Sequence, residues 1–186
     1  MKQIIRQRLD EHLELAKNLH TLEEQIETVA SVVVECLKRD NKLIFLGNGG
    51  SAVDAMHMAG EYVSKFSKNR KGLPALALPS NIAVITSIAN DWNYEYVFAR
   101  QLESLANSHD IVISFSTSGE SKNVINAIEF SQNNDIMTVS FTGSRPNTVA
   151  RLSQYAIQIP STETARIQET YILINHIICE IVDDNY

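Results

Sequence analysis

The sequence predicts an α/β fold, a three-layer sandwich around a five-stranded, mainly parallel sheet. Short apolar runs alternate with longer segments of helical spacing, the pattern of strands buried on both faces beneath helices. Gly-, Pro- and Ser-rich turns separate them. The chain's 186 residues, 44% hydrophobic and 20% charged, suffice for one core of ordinary size. Residues 1–186 read as a single domain, with a helical pair over 1–40 ahead of an α/β core over 41–186.

In the first helix, Ile5, Leu9, Leu13, Ala16 and Leu19 recur at 3.6-type spacing. Thr21-Leu-Glu-Glu24 fits a capping box, and Ile26, Val29, Val33, Cys36 and Leu37 form the stripe of the second helix. Two amphipathic helices ahead of a sheet need a surface to cover, either their own sheet or another subunit. We favour oligomer packing. From Lys42 the pattern turns to strands over Leu43–Leu46, Ala75–Leu78, Ile111–Phe115, Met137–Phe141 and Ala156–Ile159. Helices are expected near 51–66, 80–89, 93–106, 121–133 and 163–183, while 69–74 and 143–146 carry loop and turn signals. Ligands of such sheets collect outside the carboxyl ends of the strands, so loops 47–51, 90–93 and 116–121 should face one cleft.

A net charge of −6 argues against a general nucleic-acid surface. The local basic run Lys65, Lys68, Arg70 and Lys71 either serves a small phosphorylated ligand or is a solvated charge run. Cys36 and Cys179 fall at apolar helical positions and read as buried free thiols of a reducing compartment. No apolar run approaches the ~20 residues of a membrane span, and the N-terminus lacks a signal-type apolar region. The expectation is a cytoplasmic protein with no membrane or nucleic-acid partner.

Chemistry concentrates in three places. Gly47-Asn-Gly-Gly-Ser51 follows the first strand and opens a helix. Backbone N–H groups around Asn48, Gly49 and Gly50, with the Ser51 hydroxyl, can approach an anion at that helix's positive end. Four residues apart on the same helix, His57 and Glu61 share a face and can both bind a metal ion. An exposed polar pair is the blander reading, but Ala55, Met56, Met58 and Ala59 around them point to a mostly buried helix needing a partner for its polar groups. The second place is Ser114-Phe-Ser-Thr-Ser-Gly-Glu-Ser121, where Ser116, Thr117, Ser118 and Ser121 offer hydroxyls at a strand-to-helix junction suited to phosphate. A plain capped loop competes with that reading. No Gly-Lys-Ser/Thr closes it, so it is not a nucleotide-hydrolysing P-loop. The third place is the last helix, with Ile167, Tyr171, Ile174, Ile178 and Ile181 as core stripe and Gln168, Ile172, His176 and Cys179 alongside. Taken alone, His176 reads as a core histidine.

Gly47-Asn-Gly-Gly-Ser51, Asp54-Ala-Met-His57, Ala89-Asn-Asp91, Ser116-Thr-Ser-Gly119 and Ala165-Arg-Ile-Gln-Glu169 together resemble the sugar isomerase (SIS) domain, whose sandwich is flavodoxin-like. More narrowly they are similar to the bacterial phosphoheptose isomerases. The resemblance runs in order and spacing from about residue 40 to the C-terminus, and the two leading helices fit it. It implies a homotetramer with sites at subunit interfaces, converting sedoheptulose 7-phosphate to D-glycero-D-manno-heptose 7-phosphate. That is the first step towards activated heptose for lipopolysaccharide, capsule or S-layer glycans. The resemblance further implies zinc, one ion per subunit, on His57, Glu61, Gln168 and His176. Substrate contacts would fall on Asn48, Gly49, Gly50, Ser51, Asn90, Asp91, Ser116, Thr117, Ser118, Ser121 and Gln168, with Glu61 as base and His176 as acid.

Gln168 and His176 are eight residues apart, about 12 Å of helix rise. Either they stretch towards one ion or they serve different copies of the site. Three positions depart from the family. Lys65 stands where relatives often carry Arg, trading a bidentate fork for a point charge. Gly60 replaces an acidic residue beside Glu61, and these two departures would alter the grip on substrate. Tyr171 replaces a His one turn before His176, and this third one would change the metal's surroundings. The rival within the family is a non-catalytic tetramer acting as a replication-initiator-associating regulator, or a sugar-phosphate sensor. The regulator tends to lack the last-helix His that is present here.

Overall fold

A computed structural model describes residues 1–186. The apolar runs form β1 (Leu43–Gly47), β2 (Ala75–Ala77), β3 (Ile111–Ser116), β4 (Met137–Gly143) and β5 (Tyr155–Ile159). They make one sheet in the order β2-β1-β3-β4-β5, and every pairing is parallel, where the sequence predicted only a mainly parallel sheet. Every residue of β1 and β3 is buried, as strands covered on both faces require. The strand order reverses between β1 and β3, which run beside each other with Gly47 opposite Phe115. The Gly-rich and Ser-rich turns therefore leave the sheet side by side at its switch point, where open α/β sheets place their ligand crevice.

Eight helices surround the sheet: α1 (Lys2–Asn18), α2 (Glu23–Lys38), α3 (Gly50–Val63), α4 (Ile82–Asp91), α5 (Ala99–Leu105), α6 (Lys122–Gln132), α7 (Thr148–Leu152) and α8 (Thr164–Asp183). On one face α2, α3 and α8 bury Val33, Met58, Tyr62, Tyr171 and Ile174 against Phe45, Phe115 and Phe141. On the other, residues of α4 to α7 such as Ile88, Leu102, Val124 and Val149 close over Ile44, Leu46 and Val112. Cys36 and Cys179 are buried and free, as the sequence predicts. Burial pushes both thiols up to about 12.

Several expectations are corrected. The capping box at Thr21 does not form. The chain instead makes a tight 3-10 turn over Leu19–Leu22, Leu22 precedes α2, and the Thr21 hydroxyl donates back to the Asn18 carbonyl at 2.7 Å. The predicted 93–106 helix is broken, because the Asn93 side chain accepts from the Glu95 amide at 2.9 Å and turns the chain before α5 begins. The short helix α7 was not anticipated; Asn147 caps it through Ala150 N. Of the two surfaces open to α1, its own sheet is not the one that its apolar stripe covers. Only Leu15 of that helix is buried, while Ile4, Ile5, Leu9 and Leu13 stand more than half exposed.

Candidate functional site

Helices α3 and α8 lie on the same face of the sheet and run in the same direction, joined by a series of cross-contacts. At the top, Gly49 takes φ +57°, a left-handed conformation that suits glycine, to turn the chain into α3. Gly50 follows with the Gln168 amide directly upon it, since a Cβ there would come within 2.5 Å of Gln168 Nε2. One step down, the Ser51 and Tyr171 hydroxyls pair at 2.8 Å inside the core. Below them His57, Glu61 and His176 converge, with one ligand atom from each lying within 4.8 Å of the others. His57 Nε2 sits 3.0 Å from Glu61 Oε1, and the His57 ring meets the His176 ring edge-on at 5.2 Å. Small residues allow this approach: Ala55 and Ala59 bury with Met58 and Tyr62 on the core side of α3, leaving His57 and Glu61 on the neighbouring strip.

The triad fits a divalent cation. His176 Nε2 is buried and has no hydrogen-bond partner, a costly state for a polar atom unless something else engages it. Two imidazoles and a carboxylate make up the donor set of a catalytic zinc that keeps an open position. Phe66 stacks on the His176 ring at 5.1 Å and closes one side.

Gln168 does not join the triad within this chain. It lies against Gly50, seven residues before His57 on α3, about 10 Å of helix rise away. Of the two sequence-level alternatives, this geometry favours separate roles for Gln168 and His176. Ser51 also differs from expectation, because the residue is 5% exposed and its hydroxyl is paired with that of Tyr171. Only the start of α3, with its backbone amides, is left to meet an anion. Tyr171 accordingly belongs to the core, stacked on Phe115, and not to the metal's surroundings. Burial raises its phenol, although the Ser51 bond opposes this.

The predicted loops do meet. Asn48 Nδ2 donates to Asn123 Oδ1 at 2.8 Å, while Asn48 Oδ1 accepts from Asn123 Nδ2 at 2.9 Å and from the Tyr94 hydroxyl at 3.0 Å. Asn48 thus ties the first turn to the turn after α4 and to the start of α6. Ser116 Oγ accepts from Gly119 N and Ser118 Oγ from Glu120 N, shaping the second turn. Ser121 precedes α6 without a side-chain cap, which leaves its hydroxyl and the amides of Lys122 and Asn123 uncommitted. Thr117 and Ser118, with Ser144, Arg145 and Thr162, line a cavity of about 280 Å³ beside this turn. Asn90 and Asp91 end α4, exposed and bonded to each other at 2.8 Å.

Sequence reasoning gave no role to Asp54, Phe66, Tyr94 or Asn123. Asp54 precedes His57 by one turn, and its Oδ2 is buried without a partner. Burial raises its carboxyl, against the opposing pull of His57. Its spacing from Ser51 and His57 on one helix was the available signal. The basic run breaks up: Lys65 and Lys71 are exposed, Lys68 pairs with Asp184 at 2.6 Å, and Arg70 is buried against Asp183.

The family model for the SIS domain matches residues 9–143. The phosphoheptose isomerase of Thermodesulfovibrio yellowstonii is 45% identical over 159 residues, 86% of this chain and 79% of that one. Phosphoheptose isomerase 1 of Campylobacter jejuni aligns over the full length of both chains at 36% identity. Among solved structures, phosphoheptose isomerases from Neisseria gonorrhoeae and Francisella tularensis superpose with TM-scores of 0.92 and 0.94 at 30% and 28% identity. The first match covers 98% of each chain, the second 98% of this chain and 97% of the other. This chain belongs to the SIS-domain family and, within it, to the phosphoheptose isomerases.

Proposed function

We propose that the chain converts sedoheptulose 7-phosphate to D-glycero-D-manno-heptose 7-phosphate, with zinc held by His57, Glu61 and His176, one ion per subunit. The observation that carries the reading is the convergence of these three side chains around an unpartnered His176 nitrogen, two turns below a Gly-rich turn. Relatives named as isomerases at 36% to 45% identity support it over the regulator and sensor readings. The buried free thiols support a reducing, cytoplasmic setting, and no helix is long and apolar enough to cross a membrane. The exposed stripe of α1 supports a homotetramer, and we read the chain as one domain within it.

Moving the carbonyl from C2 to C1 means taking a proton from C1 and returning one to C2 through an enediol. Glu61 is the base: Oε1 faces His57, and the other oxygen takes the C1 proton. His176 is the acid, giving a proton to the C2 oxygen as the enediol forms. Glu61 then returns its proton to C2 while the O1 hydroxyl gives its proton back to His176 and the C1 carbonyl forms. Held by His57, Glu61 and His176, a divalent cation would supply polarisation of the carbonyl and stabilisation of negative charge on the reacting oxygens. At the far end, Ser116, Thr117, Ser118, Ser121 and the α6 amides grip the phosphate. Asn48, Asn90, Asp91 and Gln168, with the α3 amides of Gly50 and Ser51 beyond Gly49, hold the sugar between. Phosphate binding energy then orients the reacting end.

The test is metal content of the purified protein, with turnover measured before and after chelation. We expect about one zinc per subunit, a loss of turnover on chelation of at least about 100-fold, and recovery on adding zinc. A metal-free assembly inert on this substrate would move the assignment to the regulator.

Gly50→Ala tests Gln168 separately. The atoms nearest the new methyl are the flexible end of Gln168, and alanine is the better helix former. The melting temperature should stay within a few degrees while kcat/KM falls at least about tenfold, matching Gln168→Ala. Unchanged kinetics would remove Gln168 from the site.

A further inference from the structure

Beyond α3 the chain does not enter β2 directly but forms a strap over Ser64–Pro74 that folds against the end of α8. Its anchor is an ion pair cut off from solvent: the side chains of Arg70 and Asp183 are 4% and 0% exposed, with Arg70 Nε 2.6 Å from Asp183 Oδ1. Asp183 Oδ2 takes the Ser67 amide at 2.8 Å, the Ser67 hydroxyl at 3.0 Å and the Lys68 amide at 2.8 Å. Burial alone would raise this carboxyl. The Lys68 and Ser67 amides, the Ser67 hydroxyl and Arg70 outweigh burial and hold it at about 2.

The other side of Arg70 reaches the last turn of α3. Nη2 donates to the Glu61 carbonyl at 3.1 Å and Nη1 to the Tyr62 carbonyl at 2.9 Å. These carbonyls are among the groups a helix end leaves without intrahelical partners. One guanidinium therefore joins the backbone of Glu61 to the end of the helix that carries His176. Phe66 directly precedes the residue that Asp183 anchors, and its ring is the one stacked on His176. A buried ion pair is seldom a better stabiliser than apolar side chains of equal size. This one links the backbone of Glu61 to the helix that carries His176.

We propose that Arg70 and Asp183 are positioning residues for the triad, and that the strap they pin holds Phe66 as the backing of the His176 ring. The proposal rests on reading the triad as a metal site. It assigns the clamp no contact with substrate: it fixes where Glu61 and His176 stand relative to each other.

The test measures Zn²⁺ affinity of the full chain by competition with a chromophoric chelator, and the visible spectrum of the Co²⁺-loaded protein. Melting of the metal-free protein is followed alongside. Phe66→Leu keeps an apolar filler but loses the stack. Its metal-free melting temperature should stay within a few degrees of the parent, with Zn²⁺ affinity about 10- to 100-fold weaker, the range for residues that orient metal ligands, and an altered Co²⁺ spectrum. Phe66→Tyr, which keeps the ring, should restore both. Arg70→Lys keeps the charge but cannot serve Asp183 and two carbonyls at once; it should weaken Zn²⁺ by a similar factor and also melt earlier. If the parent binds Zn²⁺ tightly while folded Phe66→Leu and Arg70→Lys proteins bind it equally well with an unchanged Co²⁺ spectrum, the clamp is overturned and the triad stands. A parent that binds no Zn²⁺ overturns both.

Discussion

Glu61→Gln is expected to leave the fold intact and to reduce turnover of sedoheptulose 7-phosphate by about 10³-fold, within the range for loss of a general base. Glutamine matches the carboxylate in shape, and its amide can still meet His57 across the 3.0 Å gap. What it loses is the ability to accept and return a proton. Proton exchange at C1 should fall in parallel, read by NMR as deuterium incorporation from solvent. A variant that still exchanges C1 at the parental rate would deny Glu61 the base role whatever its turnover. His176→Ala separates the other function. It removes the unpartnered nitrogen and should lower both bound metal and turnover, whereas Glu61→Gln keeps an oxygen for the ion and should lower turnover far more than metal content.

The sequence carried the sheet clearly and the site only in part. Runs such as Leu43–Leu46 and Ile111–Phe115 are apolar throughout because both faces of their strands are covered, so they stand out between polar turns. His57 and Glu61 were legible as a pair because one helical turn joins them. The approach of His176 depends on how α8 lies beside α3, which no local pattern encodes; only resemblance to a family supplied it. Tyr171 lay on the core stripe read from the sequence, but that its hydroxyl takes up the Ser51 hydroxyl there was not legible in either segment. Arg70 sat in a run of lysines and read either as part of a small phosphate site or as a solvated charge. Its burial follows from Asp183, more than a hundred residues further along the chain. Thr21-Leu-Glu-Glu24 had the right residue types for a capping box, but α1 runs into a 3-10 turn that already uses the Thr21 hydroxyl.

Replacing Leu9 and Leu13 together by Asp should break the homotetramer proposed above and, with it, activity. Within one chain α1 is held to α8 by polar contacts, Arg166 Nη1 to the Arg8 carbonyl at 3.1 Å and His12 Nδ1 to Glu169 at 3.1 Å, and by burial of Leu15. Its main apolar stripe, Ile5, Leu9 and Leu13 with Ile4 beside it, faces outward. Fully burying an aliphatic side chain of this size stabilises by about 1.5–3 kcal/mol; with these four 57–63% exposed, covering what remains would contribute roughly 4–7 kcal/mol before the entropy of association. A carboxylate placed in that seam forfeits the contact and adds the desolvation of a charge. Light scattering after size-exclusion chromatography should show the mass falling from about four chains to a smaller species. The far-ultraviolet circular dichroism should persist, because neither side chain is buried in its own core. Turnover should fall together with the mass on dilution, since Val53, Met56, Leu173 and Ile177 stand exposed on the helices that carry the triad. Such a surface suits a site completed by a neighbouring copy. A double variant of unchanged mass would show that this stripe is not the seam, and one that dissociates with full activity would show that each chain holds a complete site.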